Sequence, residues 1–461
     1  MSCQPRAGAA QRPNVLFIAI DDLNHWVGHL GRNPQTRTPN IDRLAAQGVT
    51  FANANCAAPA CNPSRIALMS GMRPSTTGCY DNGQDWRPVV PTTHTLTTQF
   101  LKAGYNVYGA GKIYHGSAHR EPEWTEYFTG GGGGNLRQHP SAVDRGVGGI
   151  TFSPLASSDE EMPDYKVVSY GIEKLNQEHD QPFFLAIGLV KPHMPWSVPK
   201  QYFDQFPLDS IELPPHRDGD LDDVPAGGLK MAKADGDHAK MLESGRWQEA
   251  VQAYLATISF CDGQVGRLLD ALERSPHAKN TIVVLWGDHG WHLGEKQHWR
   301  KFARWEEATR SVYVWKVPGV STTGVSARPV DYMTIYPTLC DLCDIELPSH
   351  VEGSSLRPLL VDPAAEWNRP ALTTFHRDNH SLRSEQFRFI RYADGGEELY
   401  DHRSDPYEWT NIAADPAYAD VKRQLLEFLP TTNAEELPAG GAGRAATAPV
   451  IAGLPTDELA D

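Results

Sequence analysis

Four short apolar runs, each closed by polar residues, constrain this chain more than any other feature. They are Asn14–Ile20, Tyr105–Tyr108, Phe183–Val190 and Thr281–Trp286, rich in β-branched and aromatic residues. Runs of this kind predict strands buried on both faces. Between them lie stretches with apolar residues at helical spacing, Thr38–Gln47 and Gln248–Arg274. Strands alternating with helices predict an α/β fold, with a large, mostly parallel sheet sandwiched by helices.

In such sheets ligands gather beyond the carboxyl ends of the strands. The first run ends in Asp21-Asp22, and the second leads to Gly111-Lys112-Ile113-Tyr114-His115. The third ends in Lys191-Pro192-His193, and the fourth in Gly287-Asp288-His289-Gly290. One polar pair after a strand is ordinary loop chemistry. Four at one sheet edge predict a single site where carboxylates, imidazoles and amines converge.

Composition narrows the choice. Of 461 residues, 40% are hydrophobic and 21% charged, which supports a sizeable core and excludes wholesale disorder. The balance of 42 Lys+Arg against 57 Asp+Glu gives a net charge of −15, which argues against a nucleic-acid partner. A locally basic pocket for an anionic substrate stays compatible with that charge. No run reaches the roughly 18 apolar residues of a membrane span. The opening MSCQPRAGAAQRPN has no apolar signal-peptide core, the pattern of a protein that stays inside or whose leader was removed or never included. With seven Cys, at least one must be free, modified or paired with another chain.

Residues 1–13 read as an N-terminal extension and 14–364 as the main domain. From about Ala365 the pattern changes: Gln386–Ala393 alternates like a half-exposed strand, and Val421–Phe428 reads as a closing helix. This predicts a smaller C-terminal α+β subdomain over 365–437, followed by a poorly ordered tail over 438–461 rich in Gly, Ala and Pro. Gly130–Gly134 lacks the spacing of a phosphate-binding loop and reads as a plain loop. Cys340 and Cys343 lie in an apolar helical run without a second pair, so they read as core cysteines. Cys56 and Cys79 flank the next motif, and their pairing is open.

That motif is Cys61-Asn62-Pro63-Ser64-Arg65, followed by IALMSGMRP. Pro63 sits where a first-turn proline is favoured, so Cys61 lies at a helix start, where free N–H groups favour an anion. A buried structural cysteine and an activated thiolate are both compatible with this placement. A cysteine phosphatase would want its Arg six positions on, and position 67 is Ala.

The motif resembles the C-x-P-S-R signature of type I sulfatases in the alkaline-phosphatase superfamily, with Leu68-Met69-Ser70-Gly71 following as in that family. The resemblance runs from Asn14 to about Tyr407. It includes Thr38-Pro39-Asn40-Ile41-Asp42, Gly111-Lys112, Gly287-Asp288-His289-Gly290 and Glu398-Leu399-Tyr400-Asp401. Within the family the chain is most similar to the iduronate-2-sulfatase branch: Lys112 and His115 are spaced K-x-x-H, Lys191–Pro195 reads K-P-H-x-P, and His289 follows Asp288.

The resemblance implies an alkaline-phosphatase-like fold and a sulfuric-ester hydrolase. It implies that a formylglycine-generating enzyme oxidises Cys61, whose hydrate attacks sulfur. It implies one Ca²⁺ held by Asp21, Asp22, Asp288 and His289, although imidazole alone would also suit Zn²⁺ or Mn²⁺. Arg65, Lys112 and Lys301 would steady the nucleophile and the sulfate, while His193 and His115 would move protons. His380 and Arg383, with Arg73, are basic residues expected near the substrate pocket. The implied substrate is a sulfated sugar or short polysaccharide fragment, attacked from its end. A phosphonate monoester or phosphodiester hydrolase and a non-catalytic anion-binding relative are the competing readings.

Overall fold

The computed structural model describes residues 12–116, 118–131, 136–142 and 145–440. Most of the N-terminal extension, glycines 132–134 and residues 441–461 of the expected tail lie outside the described residues.

Eight strands form the main sheet: β1 (Asn14–Ile20), β2 (Val49–Asn55), β3 (Asn106–Gly111), β4 (Glu126–Phe128), β5 (Phe183–Leu189), β6 (Thr281–Gly287), β7 (Tyr313–Lys316) and β8 (Gly324–Asp331). Their order across the sheet is β8-β2-β7-β6-β1-β5-β3-β4. Only β7 runs antiparallel to its neighbours. β1 is central and parallel to both β5 and β6.

The period of two in a strand divides β1 between two cores. Leu16, Ile18 and Ile20 face a layer built from the helices Pro163–Leu175 and Trp247–Arg274. Val15, Phe17 and Ala19 face the other layer, with Ile66, Leu68 and Met69 of Cys61–Ser70 and Ile335, Tyr336 and Leu339 of Ile335–Leu342. Burying each large apolar side chain contributes about 1.5–3 kcal/mol, so a strand covered on both faces is costly to disturb. The 28-residue helix Trp247–Arg274 stops where Ser275 turns extended before Pro276.

A second sheet carries β9 (Ala371–Thr374), β10 (His380–Arg383), β11 (Phe387–Arg391) and β12 (Glu397–Asp401), all antiparallel. Leu382, Phe389 and Leu399 pack there with Leu425 of the helix Ala419–Leu426. This is the smaller C-terminal subdomain.

Four strands of the main sheet have weak sequence signals. β2 is interrupted by polar Thr50, Asn53 and Asn55, β4 and β7 are short, and β8 contains Arg328 and Pro329. Pro329 is tolerated because β8 is an edge strand whose register shifts between Ser326 and Pro329. The second expected strand starts one residue later and extends to Gly111. The neighbouring β5 comes close because it is small there: a Cβ at Gly188 on β5 would meet the Lys112 backbone at 2.3 Å.

Candidate active site

The carboxyl edge of the sheet continues its hydrogen-bond ladder one residue past the strands. The Asp288 N–H donates to Ile20 O at 3.1 Å, the Asp21 N–H to Leu189 O at 3.1 Å, and the Lys112 N–H to Gly188 O at 2.9 Å. The polar residues are therefore fixed by the same pairing that fixes the core.

Cys61 is the first residue of the fully buried helix Cys61–Ser70, and Arg65 lies one turn further on the same face. Cys61 Sγ stands 3.1 Å from Lys301 Nζ, 3.3 Å from His289 Nε2, 3.6 Å from Lys112 Nζ and 3.9 Å from Asp22 Oδ1. Burial and Asp21 oppose ionisation of this thiol, but the ammonium groups of Lys112 and Lys301 hold its pKa below the ordinary value.

Arg65 ties the carboxylates together. Its Nε donates to Asp288 Oδ2 at 2.8 Å and its Nη2 to Asp21 Oδ1 at 3.1 Å, while Nη1 donates to the carbonyls of Lys112 and Ile113. Lys112 Nζ also donates to Asp21. Burial works against the Asp21 carboxylate, yet Lys112, His193 and Arg65 bring its pKa well below the usual value. Asp22 goes the other way. Burial pushes it up to about 7, only partly offset by Lys301 at 3.0 Å. Asp22 is left-handed at φ 59°, and its Oδ2 is buried without a hydrogen-bond partner. Burial opposes the His289 imidazolium, but Asp288 and Cys61 raise its pKa to about 9.

The site sets buried carboxylates against buried cations: Asp21, Asp22 and Asp288 pair with Arg65, Lys112 and Lys301. Donor atoms of Asp21, Asp22, Cys61 and His193 lie within 4.8 Å of one another, as do those of Asp21, Cys61, Asp288 and His289. Three carboxylates, one imidazole and an orphaned carboxylate oxygen fit a divalent cation. A third acidic cluster, Glu306, His402 and Glu408, differs: Arg383 and Arg388 already fill it.

His193 stands at the border, its side chain 20% exposed and its Nε2 3.8 Å from Asp22 Oδ2. Its Nδ1 bonds the Met194 carbonyl at 2.5 Å. Burial and Lys112 keep this imidazole well below its ordinary pKa. His115 is half-buried after β3, with Nδ1 unpartnered, and burial and Lys112 lower its pKa to about 3.

His380 and Arg383 are not brought to this cluster. His380 is buried on β10 against Thr374 Oγ1 at 3.0 Å. Arg383 is buried with its Nε on Glu306 at 3.2 Å and Nη2 on His402 at 2.9 Å. Arg73 pairs with Asp331 at 2.9 Å. Chain position alone does not reveal such pairing.

Supporting residues without a sequence signal also emerge. Tyr254 OH donates to the Asp22 carbonyl at 2.7 Å and accepts the Asn24 N–H at 3.1 Å. Asp164 accepts the Val190 and Lys191 N–H groups at 3.0 and 2.8 Å, and Lys191 Nζ donates to the His193 and Pro195 carbonyls. The 190–195 turn is thereby held in place.

The sulfatase family profile matches residues 13–345. The chain belongs to the sulfatase family. Residues 288–435 of this sulfatase also match the profile described as N-sulphoglucosamine sulphohydrolase, C-terminal. It is 40% identical over 451 residues to a sulfatase of Formosa agariphila, covering 92% of this chain and 87% of the relative. It is 29% identical over 388 residues to the iduronate 2-sulfatase of Homo sapiens, covering 73% and 70%. Among solved structures, one bound to its substrate D-glucosamine-2-N,6-O-disulfate matches with TM-score 0.71 at 20% identity, covering 91% and 97%. The phosphonate monoester hydrolase of Silicibacter pomeroyi matches with TM-score 0.75 at 21% identity, covering 90% and 95%. At these identities the likeness to solved structures establishes the alkaline-phosphatase-like fold.

Proposed function

We propose that this sulfatase removes sulfate from the end of a sulfated sugar or short polysaccharide fragment. Cys61 becomes formylglycine through a formylglycine-generating enzyme, and Asp21, Asp22, Asp288 and His289 hold a divalent ion, Ca²⁺ by family likeness. The observation that carries this reading is Cys61 Sγ, ringed by Lys301, His289, Lys112 and Asp22 within 3.9 Å.

The sulfur marks where a hydroxyl oxygen of the modified residue stands. Formylglycine in its hydrated form supplies two hydroxyls on one carbon, one to attack sulfur and one to expel sulfate afterwards. The divalent ion, when bound, supplies Lewis-acid charge withdrawal from the sulfate. Arg65 holds Asp21 and Asp288 in position. Asp288 accepts the proton of the attacking hydroxyl. Lys112 and Lys301 offset the charge that builds on the sulfate oxygens. His193, partly exposed, is assigned to protonating the leaving alcohol, a role that requires the negative charge of bound substrate to raise its pKa from the low value that burial and Lys112 set. His115 takes the proton of the second hydroxyl as sulfate departs.

Cys61 is fully buried, which suits the end of a chain better than its interior. The net charge of −15 favours short fragments over long polyanions. Arg383, committed to Glu306, leaves no support for its pairing with a uronate carboxylate. Release of free sulfate from end-sulfated oligosaccharides, against equal release from internal positions, tests the exo reading.

One observation favours a second reading, the fold match to a phosphonate monoester hydrolase. Turnover of a sulfate ester and a phosphonate ester of the same alcohol by one preparation decides between them. A non-catalytic anion-binding role requires that Cys61 stay a thiol in a protein that releases no sulfate.

A further inference from the structure

Lys301 reaches Cys61 from a strained stretch of backbone. Its neighbours Arg300 and Phe302 are both left-handed, at φ 79° and 71°. Bulky residues rarely adopt that conformation unless their surroundings impose it. The Phe302 N–H donates to Pro59 O at 2.9 Å, and Arg300 Nε donates to Asp237 Oδ2 at 2.8 Å. The carbonyl of Lys301 itself faces His298 Nε2 at 2.7 Å. The other ring nitrogen, Nδ1, faces the carbonyl of Ala232 at 2.9 Å, where the helix Ala226–Ala232 ends. His298 is buried. Its backbone is fixed as well, its N–H donating to Glu295 O and its carbonyl accepting from the Gly294 N–H, both at 3.0 Å.

Both partners of this ring are carbonyls, which only accept. A neutral imidazole has one N–H and one bare nitrogen, so in that form one carbonyl meets a lone pair at hydrogen-bond distance. An imidazolium has an N–H for each. Burial opposes that charge and keeps the pKa below the ordinary 6.5, although the two carbonyls favour it. Of the charged groups around the ring, Lys233 disfavours the cation, and Asp237, already paired with Arg300, favours it. His292 packs edge-on at 5.0 Å with its Nδ1 facing Glu295 O, and His238 Nδ1 accepts the Trp299 indole N–H. Burial holds both of those imidazoles neutral, so neither competes for the charge.

We propose that His298 is a positioning residue for Lys301: its doubly protonated ring clamps the Lys301 backbone to the end of the helix Ala226–Ala232 and so sets the ammonium beside Cys61. The effect on turnover rests on the sulfatase reading of the site. The clamp forms as pH falls through the pKa of His298 and opens above it. The competing role is structural, a neutral ring that fills space and holds one carbonyl at every pH.

His298→Gln separates the two. Its carboxamide offers a donor to one carbonyl but cannot gain a proton, so it matches the neutral ring and not the charged one. The ratio of kcat for 4-nitrophenyl sulfate, wild type over variant, should stay near one at about pH 8 and rise about tenfold by about pH 5, the size of one charged hydrogen bond. Titrations shared by the two proteins cancel in that ratio. Calorimetric affinity for inorganic sulfate should diverge in the same way. Nitrogen NMR of ring-labelled protein, with the His298 signal assigned by its absence from the variant, should show both ring nitrogens protonated at the acid end. A ratio that is flat with pH, or a His298 ring that keeps a bare nitrogen at about pH 5, overturns the proposal and leaves His298 a structural residue. If wild-type protein hydrolyses no sulfate ester, the sulfatase reading fails, while the sulfate affinities and the ring signals still decide His298. His298→Asn replaces His298→Gln in every arm if the glutamine variant does not fold.

Discussion

The backbone N–H of Asp22 donates to the Asp288 carboxylate at 3.0 Å, across 266 residues of sequence. The end of β1 thus orients the acid that ends β6. Neither residue has its position without the pairing of the two strands. Asp21→Ala removes a carboxylate from the same group and leaves Arg65 and Lys112 facing each other with less negative charge between them. We expect loss of bound divalent ion, read by elemental analysis, together with at least about 100-fold loss of sulfate release. Full activity in chelated wild-type protein would falsify the metal assignment.

Cys61 should be found oxidised when the protein is made beside a formylglycine-generating enzyme. The peptide carrying Cys61 would then lose one sulfur and two hydrogens and gain one oxygen. Mass spectrometry of that peptide checks this. An active preparation in which Cys61 is wholly unmodified sinks the mechanism.

His193→Ala should separate substrates by leaving group. An aryl sulfate leaves as a stabilised phenolate and needs little protonation, whereas a sugar alcohol needs a proton. We expect kcat on a sugar sulfate to fall about 10²–10⁴-fold and on an aryl sulfate far less. Equal losses would assign His193 to binding or to structure.

Arg388 ties the small sheet to the main domain, pairing with both Glu306 and Glu408 while fully buried. Arg388→Met leaves these acids short of positive charge. A destabilisation of about 3–5 kcal/mol is expected, measured by urea unfolding. A loss below about 1 kcal/mol would show that Arg383 and His402 alone satisfy the two acids.

Acid should weaken the fold through its buried imidazoles, a loss offset only in part by Asp22, Asp262 and Glu295, whose carboxyls burial raises to about 7, 6 and 8. Burial lowers the pKa of His25, His238 and His380 to about 4, against 6.5 for an ordinary imidazole. Between these values the unfolded chain binds protons that the folded chain does not, so unfolding becomes more favourable as pH falls. Urea midpoints should decline from pH 7 to pH 5. A flat profile over that range contradicts the buried neutral imidazoles.

The parts of the fold legible in the sequence were those where both faces of a strand are buried. β1, β5 and β6 carry nearly unbroken apolar runs because helices cover both sides. β7 and β8 were not legible, since a four-residue strand and an edge strand containing Arg328 and Pro329 carry little periodic signal. The convergence of Asp21, Asp22, Lys112, His193 and Asp288 was visible because parallel strands deliver their ends to one edge. Arg383 shows a related limit of sequence. A basic residue looks available until its acidic partner, here Glu306, 77 positions earlier, is seen.

The ladder that runs past the ends of β1, β3 and β6 has a consequence for hydrogen exchange. The amides of Asp21 and Asp288 are bonded to carbonyls of neighbouring central strands, not to loops. They can meet solvent deuterium only when β1 parts from its neighbours, and that separation opens both cores together. Their exchange should therefore report the global unfolding free energy, whereas the amides of the exposed turns exchange through local fluctuations. In most enzymes the catalytic loops are among the softest regions; here the acids of the site should be as slow to exchange as the middle of the sheet.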